Sequence, residues 1–302
     1  MGFKQKLINF YGKEYKLLVI IPVIIFLLAS FFIYYKYTTT GDFINRGVSL
    51  KGGVSISIPT EKVMTELELE EKLKSQLPER DITVRKLTSQ GEQIGFVVEA
   101  DATTKEQIDS LMNAINNEFK LKKADYSIEQ IGSSLGESFF KETFIAIIFT
   151  FILMAITVFV YFREPIPCLA VIFAALADMV VTLAIINWLG IKVSTAGIAA
   201  FLMLIGYSVD TDVLLTARVL KRTEGTVLER TLGAMRTGLM MTFTAMAAVL
   251  VALLLTNSTV IHEMMVILFV GLIMDIVNTW LTNAGMLMWY AESKLSKGVI
   301  KQ

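Results

Sequence analysis

Cysteine, histidine and proline are nearly missing from this chain of 302 residues, which has one, one and five of them respectively. The single cysteine, Cys168, excludes an internal disulfide and any multi-cysteine metal site, and its expected role is small apolar packing near a helix end. His262 stands without a second imidazole, so no metal is expected there. No glycine-rich nucleotide loop occurs, and no nucleic-acid patch beyond scattered lysines and arginines, so no cofactor, no nucleic-acid partner and no enzymatic chemistry are expected. Net charge is also absent, with 28 basic residues against 28 acidic ones.

What the chain has in excess is apolar sequence, 54% of its residues. Six segments reach the roughly 20 residues that a helix needs to cross a hydrocarbon core of about 30 Å. They are Leu17 to Tyr35, Phe144 to Phe162, Ile166 to Leu189, Thr195 to Leu215, Thr237 to Thr256 and Met264 to Trp289. Barrel strands would be shorter and alternating, so these are expected to be helices of a polytopic α-helical membrane protein. Lysines and arginines crowd one side: Lys4, Lys6, Lys13 and Lys16, Arg163, Arg218, Lys221, Arg222, Arg230 and Arg236, then Lys294, Lys297 and Lys301. The short loops of the other side hold Lys192 alone. By the positive-inside rule the chain is a multi-pass protein of the cell membrane, with both termini cytoplasmic and the long insert after the first span outside. No small-residue cleavage site follows FFIYYKY, so the first span reads as an anchor rather than a signal peptide.

Domain boundaries follow from composition: residues 1–37 as N-terminus and first span, 38–136 as an outer domain, 137–290 as spans two to six, and 291–302 as a cytoplasmic tail. Within the insert, Asn45 to Ile58 reads as a strand, and EKVMTELELEEKLKSQL as a helix with Thr60 as its N-cap and Glu61 in its first turn. Pro78 ends that helix. Asp81 to Thr88 and Ile94 to Ala100 read as strands joined around Gly91, Thr103 to Lys122 as a helix, and Ala124 to Ile131 as a last strand. The order is the ferredoxin-like βαββαβ split. Gly132 to Gly136 (GSSLG) is either a hinge or an ordinary connector.

The residues that invite function are polar ones inside the spans, because an isolated charge at the bilayer centre costs roughly 2.5–3.5 kcal/mol on insertion scales. Asp178 lies about half-way through the third span. Asp210 and Asp212 lie in the fourth, about 200° apart on nearly opposite helical faces. They cannot both point into the same interior: Asp210, past the midplane, reads either as a functional acid or as hydrogen-bonded glue between helices, and Asp212 lies nearer the basic end, where Arg218 or water could satisfy it. In the sixth span Asp275, Asn278, Thr279, Thr282 and Asn283 recur at α-helical spacing and make a polar face that cannot face lipid. Arg236 reads either as a snorkelling anchor or as a fixed cation that tunes a nearby carboxylate. A protonatable site with alternating access can do work, since each charge crossing about 100 mV yields roughly 2.3 kcal/mol.

Three strings carry a resemblance. LKGG within Gly47 to Gly53, GYSVDTD (Gly206 to Asp212) and MRTGLMMTFT (Met235 to Thr244) occur in the order of the motifs of the SecD/SecF family of protein-export membrane proteins. The resemblance covers essentially the whole chain, and Gly47, Gly52, Gly53 and Gly206 are its motif glycines. It implies half of an RND-type architecture, paired with SecD about a pseudo-two-fold axis, with the Sec translocon channel, a translocating polypeptide and membrane lipid as partners. It also implies a proton relay that moves the outer domain and pulls polypeptide outward. Asp178 fits the helix-three aspartate of the family, with Ala177 where a histidine often stands, and Arg236 fits its proton-pathway arginine. Thr211 matches the functional aspartate of the bacterial GYSxND string, so either Asp210 or Asp212 takes its place. Asp275 has no bacterial counterpart, and DIVNTWLTN resembles the archaeal branch. Other classes are half of an RND-like small-molecule or lipid transporter, a scaffold whose aspartates only join helices, and an intramembrane aspartyl protease, which lacks its GxGD string here.

Overall fold

Strands, with their period of two residues, are confined among the described residues to the insert after the first span, where they share the domain with helices; everything around it is helical. The computed structural model describes residues 3–60, 62, 64–89, 92–119, 126–256 and 258–296. The elements are α1 (Phe3–Leu18), α2 (Ile20–Thr40), α3 (Val48–Lys51), β1 (Gly53–Pro59), α4 (Glu66–Gln76), β2 (Ile82–Ser89), β3 (Glu92–Ala100), α5 (Lys105–Phe119) and β4 (Ser127–Ile131), followed by α6 (Ser133–Phe162), α7 (Pro165–Trp188), α8 (Thr195–Lys221), α9 (Val227–Leu255), α10 (Thr259–Val277), a π-helical segment (Asn278–Asn283) and α11 (Ala284–Ser296). Among the described residues six helical stretches are long and apolar enough to cross a membrane. The expected Glu61, the loop around Gly91, the stretch from Lys122 to Ala124 and the tail beyond Ser296 lie outside the described residues.

In the insert, Val54, Ile56 and Ile58 alternate along β1 and are fully buried against Leu69, Leu73, Ile82, Phe96, Leu111 and Ile115. Each such side chain contributes about 1.5–3 kcal/mol on leaving water. The sheet order is β2-β3-β1-β4, antiparallel throughout, with Val54 opposite both Ala100 and Gln130. Helix α4 starts at Glu66 rather than after Thr60, because the Thr65 hydroxyl accepts the Glu68 amide at 3.2 Å and caps the first turn. Its glutamates also reach the sheet edge, where Glu66 accepts the Lys86 amide at 2.8 Å and Glu70 the Val84 amide at 3.2 Å.

The strand expected over Asn45 to Ile58 is only partly a strand. Val48–Lys51 forms one helical turn, and Arg46 makes a single parallel bridge to Val193 beyond α7. Gly52 ends that turn at φ 87°, a left-handed conformation that a side chain resists. The GSSLG string is the first turn of α6, and Gly136 lies so close to the Gly52 backbone that a Cβ there would come within 2.7 Å of the Gly52 amide nitrogen. A polar knot fastens the same region to the bundle. Lys36 of α2 donates to Asn45 and, at 2.9 Å, to Asn187 of α7, whose amide donates to the Phe43 carbonyl at 2.9 Å.

Helices α7 and α8 are the most enclosed, while α2, α6 and α9 turn long apolar faces outward. The α6–α7 turn consists of Arg163, left-handed at φ 57°, and Glu164, so the two helices run antiparallel side by side. Glu164 accepts from Lys294 and Tyr290 of α11, tying the turn to the end of the chain. Helix α8 continues six residues past Leu215, and α9 begins ten before Thr237. The reason is that Thr226 and Glu229 form a capping box and the Arg218 guanidinium donates to the Gly233 carbonyl at 2.5 Å.

Candidate functional site

Three carboxyl groups meet where α7, α8 and the end of α10 cross, and all three are fully buried: Asp178, Asp212 and Asp275. The GYS serine supplies part of their surroundings, since Ser208 lies one turn before Asp212 and donates to Asp178 Oδ2 at 2.6 Å. Asn278 donates to Asp178 Oδ1 at 2.6 Å, so both oxygens of this carboxyl are satisfied. Asp212 Oδ1 accepts from Asn283 Nδ2 at 2.6 Å and lies 3.0 Å from the Thr279 hydroxyl. The same hydroxyl lies 3.0 Å from Asp275 Oδ1. Among the described residues no lysine, arginine or histidine makes an ion pair with any of the three.

The polar face expected in the sixth span is therefore turned into protein, with Asn278, Thr279, Thr282 and Asn283 all buried. It is not one α-helical stripe. Asn278–Asn283 winds as a π-helix, and this wider turn carries three of the four side chains that bond Asp178 and Asp212, the fourth being Ser208. Such turns are rare inside α-helices and frequent at functional sites. Room for the wide turn comes in part from Gly238 on α9, where a Cβ would run into the Trp280 ring.

Asp210 and Arg236 lie away from the cluster, and of the two acids of the fourth span it is the one expected nearer solvent, Asp212, that is enclosed. Asp210 is exposed and Asp212 is enclosed, because the face of α8 that carries Leu204, Ser208, Asp212, Leu215 and Val219 is the one packed inward. Asp210 lines a groove of about 600 Å³ with Tyr207, Thr237, Met240 and Thr244 along α8 and α9. Arg236 is exposed on α9 and reaches none of the three acids. The motif glycines are also apart from the cluster: Gly47 donates its amide to the Val193 carbonyl at 2.8 Å, Gly52 and Gly53 turn the chain into β1, and Gly206 faces open space. His262 is exposed, and Cys168 is buried against Val158 and Phe162 of α6.

A further buried acid was not expected. Glu263, at the start of α10, accepts the Ser194 amide at 2.6 Å and lies 3.9 Å from Arg85 of β2, which also pairs with Glu99 at 3.2 Å. The signal available for it was a charged residue immediately before Met264, where the apolar run of the sixth span begins.

Comparison with known proteins shows the family and the fold. Residues 111–293 match the family model described as protein export membrane protein SecD/SecF, C-terminal. The protein-export membrane protein SecF of Methanothermobacter thermautotrophicus is 36% identical over 285 residues, covering 93% of this chain and 94% of its own. That of Methanocaldococcus jannaschii is 37% identical over 295 residues, covering 95% and 99%. Among solved structures, SecDF from Thermus thermophilus, a translocon-associated membrane protein, superposes with a TM-score of 0.74 at 19% identity over 93% of this chain. The match spans only 38% of that SecDF chain, and at this identity it speaks for the fold.

Proposed function

We propose that this chain, which belongs to the SecD/SecF family of protein-export membrane proteins, is an export subunit that acts as one half of a pair with SecD and is driven by the proton gradient through its intramembrane aspartates. The observation that carries the reading is the buried trio Asp178, Asp212 and Asp275, to which no lysine, arginine or histidine among the described residues is paired. A bundle that only needed bracing would gain as much from neutral polar groups at lower desolvation cost. Asp178, with a donor on each oxygen, acts as the brace, while Asp212 and Asp275 hold the exchangeable charge.

Pairing with SecD is supported by the share of the Thermus SecDF chain that this fold spans, and by the outward apolar faces of α2, α6 and α9. We place SecD on the groove between α8 and α9 that holds Asp210. The distribution of lysine and arginine supports cytoplasmic termini and a sheet domain on the outer side, where it meets the Sec translocon and the emerging polypeptide. Residues 38–136 form that domain, and its contacts through Arg85 and Glu263 link it to the helix that ends at the acid cluster.

The test is export into native membranes containing SecD, with and without a proton gradient. Asp212→Asn and Asp275→Asn are expected to abolish the gradient-dependent stimulation while SecD still co-purifies. Full stimulation in both single variants and in the double variant would overturn the reading.

A further inference from the structure

The unpaired atoms around Asp212 form a pattern that a proton completes. Asn283 is fully buried and aimed at Asp212, to which its Nδ2 donates, yet among the described residues nothing donates to its Oδ1. On the facing side chain Asp212 Oδ2 has no partner among the described residues either. The two orphans thus belong to a carboxyl and a carboxamide already joined through their other atoms. A carboxylic acid and an amide bind edge to edge through two hydrogen bonds, and only one of the two is present while Asp212 is a carboxylate. Exchanging the oxygen and nitrogen of the amide does not remove the need, since an oxygen 2.6 Å from Asp212 Oδ1 would itself require an intervening proton.

A second count leads to the same place. The Thr279 hydroxyl has one hydrogen but stands 3.0 Å from both Asp212 Oδ1 and Asp275 Oδ1. Two carboxylates compete for that hydrogen, whereas a neutral Asp212 releases it to Asp275. Other titratable groups on the surrounding elements are engaged or remote. Asp178 is held by Ser208 and Asn278, Asp210 faces out, Tyr11 of α1 donates to the Trp280 carbonyl at 2.6 Å, and Lys36 of α2 is bonded to Asn45 and Asn187. Arg236 of α9 is exposed, and among the described residues no three acidic, histidine or cysteine side chains could hold a metal ion.

We propose that Asp212 is a one-proton site whose bound state is closed by Asn283: Oδ2–H donates to Asn283 Oδ1, Nδ2–H donates back to Asp212 Oδ1, and Thr279 then donates to Asp275. The proton is taken from water and returned to water. Its release leaves Asn283 Oδ1 without a donor and sets the two acids against each other across Thr279. Both Thr279 and Asn283 belong to the π-helical segment, so this segment is the element that senses occupancy. The proton site stands on the geometry, while its use in export rests on the function proposed above.

The experiment is infrared spectroscopy of the purified full chain in lipid, with aspartate labelled by carbon-13, from mildly acidic to mildly alkaline conditions. A protonated-carboxyl carbonyl band is expected in the wild type, retained in Asp178→Asn and Asp275→Asn, and lost in Asp212→Asn. Asp212→Asn restores the two-bond ring as an amide pair, so it is expected to fold and to unfold at a temperature at least as high as the wild type. Asn283→Leu is expected to move the band to the position of a carboxyl without hydrogen bonds. A band that survives Asp212→Asn, or no such band in the wild type under any of these conditions, would overturn the proposal. A band that behaves as stated beside unchanged export in Asp212→Asn would instead overturn the coupling and leave the proton site standing.

Discussion

Replacing Asp178 by leucine removes the one acceptor shared by Ser208 and Asn278, in a place where neither donor can reach water. Ser208 is fully buried and Asn278 nearly so, each donating to a different oxygen at 2.6 Å. Stranding a buried donor costs about 1–3 kcal/mol, so Asp178→Leu should lose roughly 2–6 kcal/mol, less any relief from repacking. Asp178→Asn keeps one acceptor, and the Ser208 hydroxyl can turn to accept from the new amide, so its loss should stay under about 1 kcal/mol. A third variant isolates the cause. Adding Ser208→Ala to Asp178→Leu removes one stranded donor and should recover about 1–3 kcal/mol, although it deletes a further polar atom. Reversible unfolding in detergent micelles measures all four proteins. If Asp178→Leu unfolds together with Asp178→Asn, or if Ser208→Ala deepens its loss, the carboxyl is not a hydrogen-bonded brace.

Two other predictions follow from places where the chain is tightly constrained. Gly52 and Gly41 both have positive φ, 87° and 77°, but a Cβ on Gly52 meets the backbone of Ser133 whereas one on Gly41 comes within 4 Å of no atom of the described residues. Gly41→Ala should therefore cost only the left-handed strain of about 1–2 kcal/mol, and Gly52→Ala that plus about 1–3 kcal/mol of overpacking, read as lowered thermal stability. At the α6–α7 turn, burial alone would raise the Glu164 carboxyl, but the hydrogen bonds from Lys294 and Tyr290 and the Lys294 charge outweigh it, so the group titrates below its ordinary value. A depressed folded value means that this contribution to stability is complete above the ordinary carboxylate range and is lost as pH falls through the lower folded value. Glu164→Gln should abolish that acid-side slope in a thermal-shift titration and lower stability near neutrality by about 0.2–1 kcal/mol, as expected of a pair still partly in contact with water.

The sheet domain was legible because its strands alternate: Val54, Ile56 and Ile58 mark the inner face of β1 as plainly in the sequence as in the fold. The error at Thr60 arose where two threonines each precede glutamates, and only Thr65 has Glu68 three residues on to match the cap geometry. Span ends were misread for a different reason. Hydropathy finds the stretch that tolerates hydrocarbon, but α9 begins at a Thr226/Glu229 capping box that hydropathy ignores. Within the membrane, helical spacing separates Asp210 from Asp212 yet does not say which faces inward, since lipid makes the outer face as apolar as the core and erases the usual amphipathic contrast. The heptad-like series Leu204, Ser208, Asp212, Leu215, Val219 was the available clue. The π-helical turn left none, because Asp275, Asn278, Thr279, Thr282 and Asn283 fit an ordinary helix equally well by spacing.

Glu66 and Glu70, which accept the Lys86 and Val84 amides along the outer rim of β2, have a consequence for a subunit whose proposed surroundings include unfolded clients. A bare rim would be a template on which a passing extended chain could lengthen the sheet rung by rung. Here two rungs are already taken by carboxylates anchored on α4, so a client strand would have to evict them before it could zip on, and the domain can stand beside sticky cargo without becoming its scaffold.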